Sequence, residues 1–437
     1  MTKQVVRADR VWSIEGEHEI VFKQVYGICL KSFGYDLDEY TYEQLLDKKN
    51  FVAGKALNAL PEIQEESVVS QCPPVSERTR KNFKHMMGKS TLSEGSFDSS
   101  IKVAQKHVWP KVAKFNLGRL HQAFLITPRN DSPDNDILRF VRARKFKVEE
   151  TIIMAFKCLD WKSTDFPVEK YTIEGDLGIS KDENLKQLSE AFGMGKVYLR
   201  GTDREGGPIC VIRVRKHFGS QCPHKDFERF IVLMLEWFRL GLKPYTMGSD
   251  GANILFDLTG ISLKNIDLAA VKFLAKAFEA NYPESLTAIW IHNAPWVFFT
   301  VWKLIRGWLD PVVASKVHFT NSAEDLEKFV DRKFIPDFVG GDDKYVPEYV
   351  PPTDENSSKK PEDDKFEELS EQRKVLSKVF IETTISWIKA ATKEESTKFL
   401  NLKIQLGAEL AKNLVELDPY IRTRGQFDRN NAIDISL

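Results

Sequence analysis

The stretch from Ala277 to Val317, AFEANYPESLTAIWIHNAPWVFFTVWKLIRGWLDPVVASKV, limits what this chain can fold into more than any other. Between Glu284 and Lys303 it runs 18 residues without a formal charge, about the length that spans a bilayer as a helix. Three features argue against a span. His292 and Asn293 stand in the middle, where polar side chains are costly in hydrocarbon. Ala294-Pro295 interrupts any helix, because proline lacks an N–H and fixes φ. The two halves also differ in character: Leu286–Ile291 reads as a buried strand and Trp296–Leu309 as a helix opened by Pro295. In that helix Trp296, Phe298, Phe299, Trp302, Trp308 and Leu309 cover more than one side, with Lys303 and Arg306 one turn apart. A helix apolar nearly all round needs an apolar partner on both sides. One is the rest of the protein; the other is a further protein element, a lipid cavity or a membrane surface.

At 437 residues the chain is long enough for two or three domains. With 63 basic and 63 acidic residues it carries no net charge, so nothing global attracts nucleic acid. Five cysteines without framework spacing suit a reducing compartment. The beginning, MTKQVVRADRVW, has no apolar signal core. A cytosolic protein that visits membrane surfaces is the expectation.

Residues 1–60 contain two helical patches, Val21–Phe33 and Tyr40–Leu46, and 61–105 read as linker. Order is expected from about Trp109. Asp134 or Asn135 caps a helix over Ile137–Phe146, and Val148–Thr164 makes a second. Strands follow at 197–200 and 209–214 around the turn Asp203–Pro208, then at 253–258, 286–291 and 317–320. Helices separate them over Phe227–Leu242, Lys264–Asn281 and Trp296–Leu309, and Ala323–Val330 follows. Strands alternating with helices of this length give an α/β fold: a mainly parallel mixed sheet with crossover helices, preceded by a small all-α unit. After a proline-rich linker come helices over Phe366–Trp387 and Thr392–Leu417, the first expected as a surface helix packed back onto the main domain, with a partner-binding or membrane-lying helix as the alternative. The boundaries are an extension (1–108), a helical unit (109–170), the α/β domain (171–346), a linker (347–365) and a helical C-terminal extension (366–437).

No glycine loop of phosphate-cradling type and no GxSxG elbow is present. Cys72-Pro-Pro-Val-Ser-Glu-Arg78 has a phosphatase-like spacing but no glycine nest. The run HFGSQCPH brings His217, Cys222 and His224 together without a fourth zinc ligand, and reads as a plain loop. His292, at the end of a buried strand, reads as a satisfied core histidine. No nucleophile–base pair or metal set emerges, so no catalytic residue is assigned and an enzyme is not expected. What stands out is polar residues beside very apolar elements: Arg144, Lys145, Glu284, Asp310 and Lys316, whose guanidinium and ammonium groups suit phosphate.

The segments LRFVRARKFKVEE (138–150), ILFDLTGIS (254–262), NYPESL (281–286), IWIHNAPWVFFTVWKLIRGWLDPVVASKV (289–317) and IPDFVGG (335–341) resemble the CRAL-TRIO lipid-transfer family, most closely its fungal phosphatidylinositol transfer proteins. The resemblance covers about 135–345. It implies a lipid cavity floored by the sheet and closed by a movable gate helix at 295–309, with the aromatic residues Trp296, Phe298, Phe299, Trp302 and Trp308. The family's inositol-phosphate contacts fall on Arg144, Lys145, Glu284, Asp310 and Lys316. Val313 stands where the family usually has a threonine, so one headgroup hydrogen bond is missing. Ala252, Phe278 and Cys210 match cavity positions that help hold phosphatidylcholine in relatives, and none is the hydroxyl or tyrosine expected. A second ligand would then be a more apolar lipid, such as a sterol precursor. The resemblance implies a non-enzymatic carrier without a cofactor, its ligand phosphatidylinositol. Its partners are membrane surfaces of endoplasmic reticulum, lipid droplet or endosome, and a lipid kinase that takes the presented lipid. The alternatives are a carrier of an apolar lipid and a lipid-dependent interaction scaffold.

Overall fold

Five short runs rich in β-branched and aromatic residues pair into one sheet in the order β1-β2-β3-β4-β5. They are β1 (Val197–Thr202), β2 (Pro208–Arg213), β3 (Ala252–Asp257), β4 (Leu286–His292) and β5 (Val317–Thr320). The computed structural model describes residues 9–35, 37, 108–242, 251–346, 348–390 and 392–435. The helices, in chain order, are α1 (Gly16–Ser32), α2 (Leu117–Ile126), α3 (Pro133–Ala143), α4 (Val148–Ser163), α5 (Val168–Ser180), α6 (Lys186–Gly193) and α7 (His224–Leu240). Then follow α8 (Leu268–Ala280), α9 (Phe298–Arg306), α10 (Pro311–Ser315), α11 (Ala323–Glu327), α12 (Asp354–Ser357), α13 (Asp364–Lys389), α14 (Lys393–Ile421) and α15 (Gln426–Arg429).

By contact the chain forms two compact units. The helical unit takes the described residues up to Asp165 together with Glu362–Leu417, and the sheet unit takes Phe166–Pro361 together with the residues from Asp418 on. The segment expected as one C-terminal extension is therefore shared between them.

The helical unit begins well before Trp109. In α1, Val21, Phe22, Val25, Ile28 and Cys29 are buried in the same core as Phe380, Ile385 and Trp387 of α13. This corrects two expectations. The N-terminal patch is ordered because α13, some 350 residues downstream, supplies its apolar partner, and α13 is a core helix of this unit. Ser132, not Asp134 or Asn135, caps α3: its hydroxyl accepts from the Asn135 amide, and Pro133 takes the first helical position. That leaves Asp134 free to face inward, where it ion-pairs with the fully buried Lys403 at 2.9 Å and accepts from the Tyr26 hydroxyl at 2.6 Å. The Lys403 ammonium also lies 4.0 Å from the ring centres of Tyr26 and Trp387. The patch Tyr40–Leu46, the linker over 61–105 and the Cys72–Arg78 spacing lie outside the described residues.

In the sheet unit, β1 and β2 form an antiparallel hairpin, and β2 through β5 run parallel. Asp203 fixes the hairpin turn by accepting from the amides of Glu205 and Gly207. The sheet alternates with period two. Ile209, Val211, Leu255, Ala288 and Trp290 pack on one face against Leu326, Val330, Ile335 and Val339. Cys210, Ile212, Ile254, Phe256, Ile289 and Ile291 point to the other face.

Candidate lipid-binding site

The second face of the sheet is not filled by side chains alone. Helices α7 and α8 cross over it and leave a cavity of about 230 Å³ whose wall is almost wholly apolar. The sheet floors it, Phe230, Met234, Leu235 and Phe238 of α7 form one wall, and Val271, Leu274, Ala275 and Phe278 of α8 form another. Helix α9 closes it with Phe298, Trp302 and Ile305. Two of the three cavity positions implied by the resemblance, Cys210 and Phe278, line this space, and burial pushes the Cys210 thiol up to about 12. Ala252 is buried beside it, and with Phe278 it lines a separate cavity of about 10 Å³.

The closing helix is shorter than the sequence suggests. Trp296 lies in a turn before it and Trp308 in a turn after it. Phe298 and Ile305 are its buried residues, while Phe299, Leu304 and Lys303 face out and Trp296 is 84% exposed. Phe299 and Trp302 lean on Phe319 of β5, each with ring centres 5.3 Å apart.

The candidate headgroup residues divide by unit. Glu284 sits in the turn into β4 with φ of 54°, a left-handed conformation unusual for a residue with a side chain. Lys316 stands just before β5 and donates to the Leu286 carbonyl at 2.6 Å. The parallel pairing of β4 and β5 thus puts Glu284 and Lys316 at one edge of the sheet. Asp310 caps α10 by accepting from the Val312 amide at 2.8 Å, and Val313 of that helix lines the cavity. Arg144 and Lys145 belong to the helical unit. Arg144 ends α3, and Lys145 and Phe146 are both left-handed, which buries Phe146 and leaves Lys145 exposed.

The opposite edge of the sheet carries a polar cluster that sequence reasoning missed. Lys196, just before β1, lies 3.3 Å from Nδ1 of His217, and Nε2 of His217 lies 3.2 Å from Asp267. Lys196 also donates to the Gln221 side chain, and Asp267 caps α8 through the Ala270 amide. All three residues line the cavity. Burial pushes the Lys196 ammonium down to about 8, with Cys222 and Asp267 pulling the other way. His217 is lowered by burial and by the Lys196 charge. Burial acts to raise the Asp267 carboxyl, but the Ala270 amide and His217 outweigh it and hold it below its usual range. The run HFGSQCPH does not stay together: His217 turns to the cavity, whereas His224 starts α7 and pairs with Glu228 at 3.2 Å. His292 is a buried core histidine, bonded through Nδ1 to the Thr320 hydroxyl at 3.0 Å and lowered by burial.

Among the described residues no cluster of three or more His, Cys, Asp or Glu offers a metal site, and no helix is long and apolar enough to cross a membrane. Comparison with known proteins matches residues 192–341 to the CRAL/TRIO domain and 89–154 to the CRAL/TRIO N-terminal domain. The phosphatidylinositol transfer protein CSR1 of Eremothecium gossypii is 41% identical over 308 residues, 70% of each chain. A CRAL-TRIO domain-containing protein of Schizosaccharomyces pombe is 29% identical over 98% of this chain and 92% of its own length. A phosphatidylinositol/phosphatidylcholine transfer protein of Arabidopsis thaliana, SFH7, is 28% identical over 50% of this chain and 40% of its own.

Proposed function

Because the chain belongs to the CRAL-TRIO family, we propose that it is a carrier of phosphatidylinositol, exchanging the lipid between membranes or presenting it to a lipid kinase. What supports this reading is the apolar cavity under helix α9, together with Glu284 and Lys316 at the β4–β5 edge of the sheet that floors it and Asp310 at the start of the helix whose Val313 lines it. Acyl chains gain about 0.8 kcal/mol per buried CH₂, so the cavity supplies most of the affinity and the charged edge selects the headgroup. Arg144 and Lys145 join that set by likeness of sequence. Helix α9 is the gate: its buried side shields the chains, and its exposed aromatic side suits a bilayer surface. The work is done in the cytoplasm with transient membrane contact, and no catalytic step is part of it.

A second reading, a carrier of an apolar lipid such as a sterol precursor, draws on Cys210, Phe278 and Val313, which give the cavity no headgroup donors where relatives use polar side chains. Solvent extraction of the purified protein followed by mass spectrometry separates the two. Phosphatidylinositol in the extract, together with a Lys316→Ala variant that loses phosphatidylinositol transfer between vesicles by tenfold or more, supports the first. A sterol or hydrocarbon alone, with transfer indifferent to Lys316, overturns it.

A further inference from the structure

Helix α7 keeps different company on its two sides. Its front, with Phe230, Met234, Leu235 and Phe238, walls the cavity. Its back is close-packed. Trp237, 1% exposed, meets Phe427 edge-on with ring centres 5.7 Å apart and Phe192 of α6 at 6.0 Å. Gly425 lies so near that a Cβ there would run into the Trp237 ring. Gln426 reaches round to the cavity side: its amide nitrogen lies 3.8 Å from the sulfur of Met234. Residues 425–427 thus bear on α7 at Met234 and Trp237, neighbours one turn apart.

The segment that carries these residues is stiff. The buried Arg422 ties Asp418 to Asp428 at 2.6 and 2.7 Å, and Arg424 pairs with Asp418 at 2.7 Å. Such charge-assisted pairs fix geometry as well as energy. The segment is also fastened to α5, independently of α7. The Thr423 amide donates to the Ile173 carbonyl, and Arg429 pairs with Asp176. Close-packed protein passes strain on to its neighbours. With a fastened segment behind α7 and a cavity before it, volume added behind Trp237 moves the helix forward. Volume removed there lets it settle back.

We propose that Gly425, Gln426 and Phe427 are positioning residues that set the width of the cavity through α7, and with it the acyl-chain length that the carrier accepts. This deepens the lipid-carrier reading and rests on it. The full chain is incubated with vesicles holding two equimolar ladders, phosphatidylinositols and diacylglycerols with saturated chains of about 14 to 20 carbons, and the captured lipids are read by mass spectrometry. One buried CH₂ is worth about fourfold in affinity, so the captured profile is sharp. Gly425→Ala is expected to move its maximum to shorter chains by about two carbons, and Phe427→Leu to longer ones by the same step. A loss of stability alone moves neither maximum, and shifts of opposite sign support the proposal. An unmoved maximum in both variants, shifts of the same sign, or no capture of either ladder by the unaltered protein would each overturn it. Phosphatidylinositol captured without any shift sinks this proposal and leaves the phosphatidylinositol reading standing. Diacylglycerol captured alone, with the opposite shifts, does the reverse. Should Gly425→Ala fail to fold, Phe427→Leu and Gln426→Ala both remove volume and must both move the maximum to longer chains.

Discussion

Lys196 also makes a statement about stability. Its folded value of about 8 lies below the ordinary lysine value of 10.5. Between those two pH values the unfolded chain holds more protons than the folded one, so this residue makes stability rise as pH climbs from 8 to 10.5. The contribution is at most about 3 kcal/mol. Urea denaturation of the unaltered protein and of Lys196→Met across that window should show a rise in the first that is flattened in the second; parallel curves would refute the burial account. A residue-scale reading also explains part of the motif IPDFVGG. Gly340 has φ of 92°, and a Cβ on Gly341 would run into the Ile335 carbonyl. Gly341→Ala should cost about 3 kcal/mol by overpacking, read as a lowered urea midpoint. The motif was visible in the sequence, but its reason was not, because the clash lies between residues six apart on a folded loop. Lys196, His217 and Asp267 were less visible still. They are separated by 21 and 50 positions, and only the sheet topology brings three connections to one edge.

At the scale of elements, the strands were legible because each is a short run of β-branched and aromatic residues closed by turn chemistry, and all five stand where expected to within two residues. Helices α5 and α6 were not. Helix α5 contains a left-handed Gly175 that interrupts its periodicity, and α6 is eight residues with three buried positions. The bounds of α9 were too long because a run of aromatic residues reads alike in helix and turn. Trp296 in fact stands before the helix and bears almost no packing load. Trp296→Ala should therefore change stability by no more than about 0.5 kcal/mol, while it removes an exposed aromatic beside the helix proposed as the gate. Cosedimentation with phosphatidylinositol-containing vesicles is expected to fall several-fold with the melting temperature unmoved. Unchanged cosedimentation would remove Trp296 from the membrane-facing surface.

At the scale of the whole molecule, the sheet unit depends on residues far from it in sequence. The segment from Asp418 on packs behind α7, the helix whose other side walls the cavity. Phe427 meets Trp237 edge-on at 5.7 Å, and a Cβ on Gly425 would run into the Trp237 ring. Arg429 pairs with Asp176 of α5, both side chains 2% exposed, and also donates to the Val350 carbonyl. Composition and periodicity say nothing of such a pairing across 253 positions, which is why the C-terminal helices looked like one extension. Burial pushes the Asp176 carboxyl up even beside Arg429, so removing the arginine leaves a carboxylate that the fold cannot hold charged. Arg429→Leu should cost about 3–5 kcal/mol near neutral pH. The double variant Asp176→Leu with Arg429→Leu should regain most of that, because both charges leave together. The sign of the pH effect follows. With its folded value above the unfolded one, Asp176 in Arg429→Leu binds its proton more tightly when folded, so the deficit shrinks as pH falls from 7.5 toward 5. Denaturant midpoints of the single and double variants at those two pH values measure it. A deficit independent of pH and equal in both would mean that the segment is held by Phe427 and Gly425 packing on Trp237, with the ion pair adding nothing.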